Sequence, residues 1–368
     1  MDIPFAARFS DSEIAALIRE HYGLEFGRIK PLDGYDDRNY HLTQITITNT
    51  AHTSVRNREF THGLVFKVTN REDSAVRLLA EAHVSLLQHA RAHGVPCATP
   101  VPLRNGALVT RVQGKNSDTN LYAIRLVDFL PGQILLNAPV TRSLLFECGQ
   151  LLAKFRCASQ TFSHDGYRCF RHAWSIPTLE RVEDKKSCIE IGWKRDLVDR
   201  VLREYEQRVV PVYDALPSGI IHSDLNEANV LVSKRADSEN EYHVSGLLDF
   251  SDTHYGPWLI DVTNCVIYMM LLPSDIPLLQ IGGRVLSGYQ SLNVALSPAE
   301  LQLARLCMCA RLTLSLVIGW YTFLAQPENG QYLLKTQDKG WGMLNKLLLE
   351  TTDQDLVASW TDDASKPN

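Results

Sequence analysis

A change of hydrophobic period at Pro131-Gly132 divides this chain into two kinds of sequence. Ahead of it, apolar residues return every second position in YHLTQITIT (40–48), LVFKVT (64–69), ALVTRVQG (107–114) and YAIRLVDFL (122–130). Period two belongs to half-buried strands, and the polar run NTAHTSVRNREFTHG between the first two joins them as a hairpin. Two helices interrupt this region. Ile14, Leu17 and Ile18 give 11–22 a helical stripe with Ser10 or Ser12 as cap, and a second helix is expected from Ser74 to His93, closed by Gly94 with Pro96 beyond. Past Pro131-Gly132 the pattern is helical, at 256–272, 299–325 and 331–350, except for one β island between Ile220 and Phe250. The expected class is α+β: a small antiparallel β lobe over 1–127, a hinge at 128–132, and a larger mostly α lobe over 133–368.

Composition narrows the function. A chain of 368 residues exceeds one ordinary core, which agrees with two lobes. A formal charge of -5 and a pI near 6.2 give no general attraction to a phosphate backbone or an anionic bilayer, so neither nucleic acid nor membrane is an expected partner. Small molecules remain. The opening MDIPFAARFSDSEIAALIREHYG has no basic-then-apolar run, so a cytoplasmic location is expected. The apolar stretch 312–325 is short for a bilayer and follows Arg311, which favours a buried core helix. Eight scattered cysteines (Cys97, Cys148, Cys157, Cys169, Cys188, Cys265, Cys307, Cys309) form no C-x-x-C pair, so reduced structural thiols are expected and zinc is not.

Polar groups at the centre of the apolar run GIIHSDLNEANVLVS (219–233) carry the chemical signal. His222-x-Asp224-Leu225-x-x-x-Asn229 has the spacing of a kinase catalytic loop, in which the aspartate meets an acceptor hydroxyl and the asparagine turns back toward a nucleotide-bound metal. A capped turn would need the same residue types. About twenty residues on, Asp249 in GLLDFSD ends an apolar run, where a hard carboxylate suits Mg²⁺. Lys67 shares a strand face with Val65 and can act as a point charge on phosphates, with Glu81, at the edge of the next helix's buried stripe, as its expected ion-pair partner. No G-x-G-x-x-G is present. PLDGYDDRNY (31–40) stands in its place, with Gly34 permitting close backbone approach and Asn39 available to a phosphate oxygen; a plain hairpin turn fits as well. His222 is read as a brace for the loop, His254 as structural, and Asp261 as a brace from the large lobe.

Taken together, Lys67, Glu81, FLPG (129–132), HSDLNEANVLV and LLDFSD resemble the aminoglycoside phosphotransferase and choline kinase superfamily. Longer strings, including EYHVSGLLDFSD, IYMML and GGRVLSGYQS, are similar to its hydroxylysine kinase branch. The resemblance implies a bilobal protein-kinase-like fold and transfer of the terminal phosphoryl group of GTP, or of ATP, to the hydroxyl of a small amine-bearing alcohol such as 5-hydroxylysine. It makes Asp224 the base and Asn229 with Asp249 the Mg²⁺ ligands. It also makes Lys67 with Glu81 the phosphate-orienting pair, and the backbone of Asp128, Phe129 and Leu130 the purine holder. Two departures stand out: Ser223 and Ser251 occupy positions where the family commonly has glycine, and Ser223 at positive φ would be strained. An acceptor with ammonium and carboxylate groups needs both charges around it, for which Asp252 and Arg311 are nominated. An unpaired buried arginine on the apolar helix 301–324 would be costly. Another amino alcohol, homoserine or an aminoglycoside as acceptor, and a nucleotide-binding protein without catalysis, are the competing readings.

Overall fold

The structure is a computed structural model describing residues 6–34, 36–114, 118–167, 179–236, 238, 241–325, 327, 334 and 336–364. The chain forms two compact units, Met1–Pro131 with Phe162–Phe170 and Gly132–Thr161 with Arg171–Asn368.

The first unit is built on strands β1 (Leu24–Glu25), β2 (Arg28–Leu32), β3 (Arg38–Thr43), β4 (Thr46–Ile47), β5 (Leu64–Val68), β6 (Thr110–Gln113) and β7 (Leu121–Asp128). Five of them make an antiparallel sheet in the order β2-β3-β5-β7-β6. Alternation decides its faces. Tyr40, Leu42, Leu64, Phe66, Ile124 and Leu126 are buried in one core with Ile14 and Ile18 of helix α1 (Asp11–Tyr22), whereas Asn39, His41, Val65 and Lys67 stay partly exposed. A Ser10–Glu13 capping box starts α1, and Gly23 at φ 67° ends it.

The expected single helix over 74–93 is two, α2 (Arg71–Ala75) and α3 (Leu79–Ala92). The Ser74 hydroxyl donates to the Thr69 carbonyl and accepts the Ala123 N–H of β7, so α2 is tied to the sheet and the chain must turn before α3. Val76 is extended and Leu78 takes φ 62°, a left-handed conformation costing roughly 1–2 kcal/mol.

The second unit holds strands β8 (Gln133–Ile134), β9 (Ser218–Ile221), β10 (Val230–Lys234), β11 (Tyr242–Leu247) and β12 (His254–Pro257), paired as β8-β10-β11 and β9-β12. Its helices include α4 (Arg142–Ser159), α5 (Glu180–Lys185), α6 (Trp193–Arg208), α7 (Trp258–Leu271), α8 (Leu278–Gln290) and α9 (Pro298–Ala325). Backbones of α4 and α8 touch where a side chain on Gly149 or Gly288 would collide with the Val285 or Phe146 carbonyl. By length and composition α9 could cross a bilayer, yet 83% of its most apolar window is covered by protein, as a core helix requires. The start of the expected 331–350 helix, residues 331–333, lies outside the described residues; Gln337–Asn345 is helical and continues as a wide π turn to Glu350. The seven described cysteines are free thiols, and Cys169 lies outside the described residues.

Candidate active site

The β9–β10 loop is fixed from beneath by α7. Asp261, in its first turn, accepts the backbone N–H of His222 at 3.1 Å and of Ser223 at 2.7 Å, and Asn264 Nδ2 donates to the Ser223 carbonyl at 2.8 Å. Burial pushes the Asp261 carboxyl up to about 6 while the two N–H bonds oppose the rise. His222 Nε2 donates to the Leu248 carbonyl at 3.0 Å, and its ring lies edge-on to Phe155 and Phe250. Burial lowers its pKa to about 4, so it is a neutral brace, as the sequence suggested. Ser223 sits at φ 68°, the strained conformation anticipated for it. Ser251 is not among the residues at positive φ; Asp249 is, at 52°.

This frame aims Asp224 and the amides beside it. Asn226 Nδ2 donates to Asp224 Oδ1 at 3.0 Å, while Asn226 Oδ1 accepts the N–H groups of Ala228 and Asn229. Asn229 Nδ2 donates to Asp224 Oδ2 at 2.7 Å and to its carbonyl at 2.9 Å, which turns Asn229 Oδ1 away as a spare oxygen donor. The Leu248 N–H donates to the Asn229 carbonyl at 2.8 Å, linking this loop to the segment that carries Asp249 and Asp252. Among the described residues no three His, Cys, Asp or Glu side chains cluster as a metal cage. Asn229 Oδ1 and the Asp249 carboxylate, the two groups the sequence nominated for Mg²⁺, are hard oxygens of the kind that ion takes. Burial raises the Asp224 carboxyl to about 6 against the opposing charge of Arg311; its side chain keeps 21% of its surface exposed.

Arg311 is the clearest surprise within this unit. The sequence nominated it for a substrate carboxylate, but its Nη2 donates to Asp224 Oδ1 at 2.9 Å and its Nε to the Tyr268 hydroxyl at 3.1 Å, with only 3% of the side chain exposed. Burial disfavours the cation, but Tyr268, Asp224 and Asp252 more than offset it, so its pKa rises. Asp252 therefore acts on the same guanidinium, and its carbonyl accepts His254 Nδ1 at 2.8 Å, a structural role for that histidine. Tyr268 and Asn264 escaped the sequence reading. Their signal was there: Asp261, Asn264 and Tyr268 recur at i, i+3 and i+7, a polar stripe on an otherwise apolar helix.

In the first unit, Lys67 lies in register with Asn39 on one side and Arg125 on the other, so all three project from one sheet face. Asn39 Oδ1 is buried without a hydrogen-bond partner. A Cβ on Gly34 would lie 2.9 Å from the Asp37 carbonyl and 3.1 Å from Asn39 Nδ2, so this tight turn needs glycine; Tyr35 beside it lies outside the described residues. The Glu81 pairing is corrected: Arg111, rather than Lys67, holds both its oxygens, at 2.6 and 3.2 Å. Burial raises the Glu81 carboxyl, but the Arg111 bonds prevail and the net shift is downward. In the segment expected to hold the purine, two backbone N–H groups are already used. The Asp128 N–H is spent on the Thr99 carbonyl and that of Phe129 on the Gly63 carbonyl, so neither is open to a base. The Asp128 carboxylate is gripped by Arg58 at 2.6 Å, and the Phe129 ring stacks on His41 at 3.9 Å.

An aspartate held beside a spare asparagine oxygen, on a strand–loop–strand platform braced from beneath by α7, is an arrangement that phosphoryl transfer can use. A family model described as "Phosphotransferase enzyme family" matches residues 28–293, and the chain belongs to that family. Over 92% of its length it is 31% identical to hydroxylysine kinase of Bos taurus, covering 89% of that protein. Homoserine kinase of Ralstonia nicotianae is 29% identical over 50% of this chain and 51% of its own. Among solved structures, the microcompartment-associated aminopropanol kinase aligns with a TM-score of 0.65 at 17% identity, over 97% of this chain and 99% of that one. The fold is protein-kinase-like, and the protein is a small-molecule kinase that phosphorylates an alcohol group.

Proposed function

We propose that the protein transfers the terminal phosphoryl group of GTP to the side-chain hydroxyl of 5-hydroxy-L-lysine, with Asp224 as the base. The single observation that carries the catalytic part is the environment of Asp224: a carboxylate oriented by Asn226, Asn229 and Arg311, still partly exposed, on a loop braced by Asp261. The acceptor assignment is supported by identity to hydroxylysine kinases along nearly the whole chain. Asn229 Oδ1 and Asp249 would hold Mg²⁺, which when bound neutralises charge on the nucleotide's phosphates. Lys67 and Asn39 are assigned to phosphate oxygens from their shared sheet face, with the Gly34 turn beside them. Asp252 is assigned to an acceptor ammonium.

In the transfer, the acceptor oxygen bonds the terminal phosphorus as its proton passes to Asp224. The P–O bond to the nucleoside diphosphate breaks, and its electron pair stays on the diphosphate. Because the transition state is loose and anionic, placement and charge neutralisation supply most of the acceleration, and the base about 10²–10⁴-fold.

The partial match to homoserine kinase favours a second reading, the same chemistry on homoserine or another amino alcohol with ATP. Purified protein with Mg²⁺ and either GTP or ATP, offered 5-hydroxylysine, homoserine, an amino alcohol and an aminoglycoside, separates them. The first reading expects the highest kcat/KM for 5-hydroxylysine with GTP. Preference for homoserine would replace it with the second.

A further inference from the structure

The bonds around Asp224 divide unequally between its oxygens. Oδ1 accepts from Asn226 Nδ2 at 3.0 Å and from Arg311 Nη2 at 2.9 Å; Oδ2 accepts from Asn229 Nδ2 at 2.7 Å alone. A carboxylate has about four lone-pair sites, so Oδ1 is filled and Oδ2 retains one. Arg311 is itself held on its far side. Its Nε donates to the Tyr268 hydroxyl, its guanidinium lies 5.4 Å from that ring's centre, and Tyr268 is 2.7 Å from Ser315 Oγ, one helical turn beyond Arg311 on α9. With 3% of its side chain exposed, Arg311 offers little surface to a diffusing ligand.

We propose that Arg311 is a positioning residue of the transfer: together with Asn226 it occupies Oδ1 of Asp224, so that Oδ2 is the atom that receives the acceptor's proton. This rests on the reading of Asp224 as the base. α9 then sets the rotation of the carboxylate about its own axis, and the Tyr268–Ser315 contact sets the reach of Arg311. A group acting this way changes how fast a bound acceptor reacts, not how tightly the acceptor binds, and does so whether or not the acceptor carries a carboxylate.

The test compares Arg311→Gln, Arg311→Lys and Tyr268→Phe in the full chain with Mg²⁺, using 5-hydroxylysine and an amino alcohol lacking a carboxylate. Arg311→Gln is expected to lower kcat about 10²-fold on both acceptors, the loss typical of a misplaced reacting group. KM is expected to stay close to wild type, with Arg311→Lys recovering part of the rate and Tyr268→Phe losing less than Arg311→Gln. Removing one member of a buried pair can prevent folding. If Arg311→Gln does not fold, the same kcat-against-KM comparison is made on Arg311→Lys and Tyr268→Phe. A loss confined to KM for the carboxylate-bearing acceptor would assign Arg311 to substrate binding and overturn the proposal. Unchanged kcat in folded Arg311→Lys and Tyr268→Phe would also overturn it. Should wild type turn over neither acceptor, the acceptor assignment fails by itself, and slow transfer to water in the same variants still reads the effect on Asp224.

Discussion

Ser223 joins two liabilities next to the proposed base: a left-handed φ of 68°, and a hydroxyl buried without a partner. The bonds that Asp261 and Asn264 make to its N–H and carbonyl hold it there. Glycine meets the same backbone at no steric cost, so Ser223→Gly is expected to stabilise the protein by about 1 kcal/mol. Thermal unfolding would show a higher Tm, and a lower Tm would mean that packing of the serine outweighs its strain. Strain at Ser223 could be anticipated because the departure from glycine sits inside a short, recognisable motif. The partners of Glu81 and Arg311 could not. Arg111 is thirty residues from Glu81, and Arg311 is 87 residues from Asp224, separations at which no local periodicity reports who meets whom.

At the scale of elements, the β9–β10 loop is a polar structure made rigid by its neighbours. Its motif was legible because the spacing of His222, Asp224 and Asn229 is local. The stripe of α7 beneath it was legible only at Asp261, since Asn264 and Tyr268 acquire meaning once the helix is known to lie under the loop. The break between α2 and α3 was hidden for a related reason: Ser74 is bonded to a strand residue 49 positions further on. Neutral, buried His222 gives the loop a pH signature. Its folded pKa of about 4 lies below the ordinary 6.5, so between those values the unfolded chain binds more protons. The contribution of His222 is therefore complete above pH 6.5 and lost as pH falls toward 4. Buried carboxyls raised to about 6, Asp73, Asp224 and Asp261, act in the opposite sense, so the comparison must be differential. The stability of wild type minus that of His222→Asn, measured by denaturant titration, is expected to shrink by up to about 3 kcal/mol from pH 7 to pH 4. A difference constant across that range would mean that His222 takes up its proton at the same pH in the folded and the unfolded chain.

For the whole molecule, the switch from period two to period 3.6 at Pro131-Gly132 anticipates the α+β class, because binary pattern and turn chemistry agree along most of the chain, whereas the protein-kinase-like fold was implied by the resemblance that HSDLNEANVLV and LLDFSD carry. It does not anticipate that Phe162–Phe170 joins the first unit, since a segment of nine residues flanked by helical sequence has no periodicity of its own. The account's central claim concerns one carboxylate: Asp224 accepts a proton from an alcohol as a phosphoryl group arrives. Single-turnover transfer of labelled terminal phosphate from GTP to 5-hydroxylysine, in wild type and in Asp224→Asn, tests it most directly. The expected result is label on the hydroxyl with wild type and a rate about 10²–10⁴-fold lower in the variant, with nucleotide binding retained. Equal transfer by Asp224→Asn, or a wild type that binds nucleotide and labels no alcohol, would contradict it.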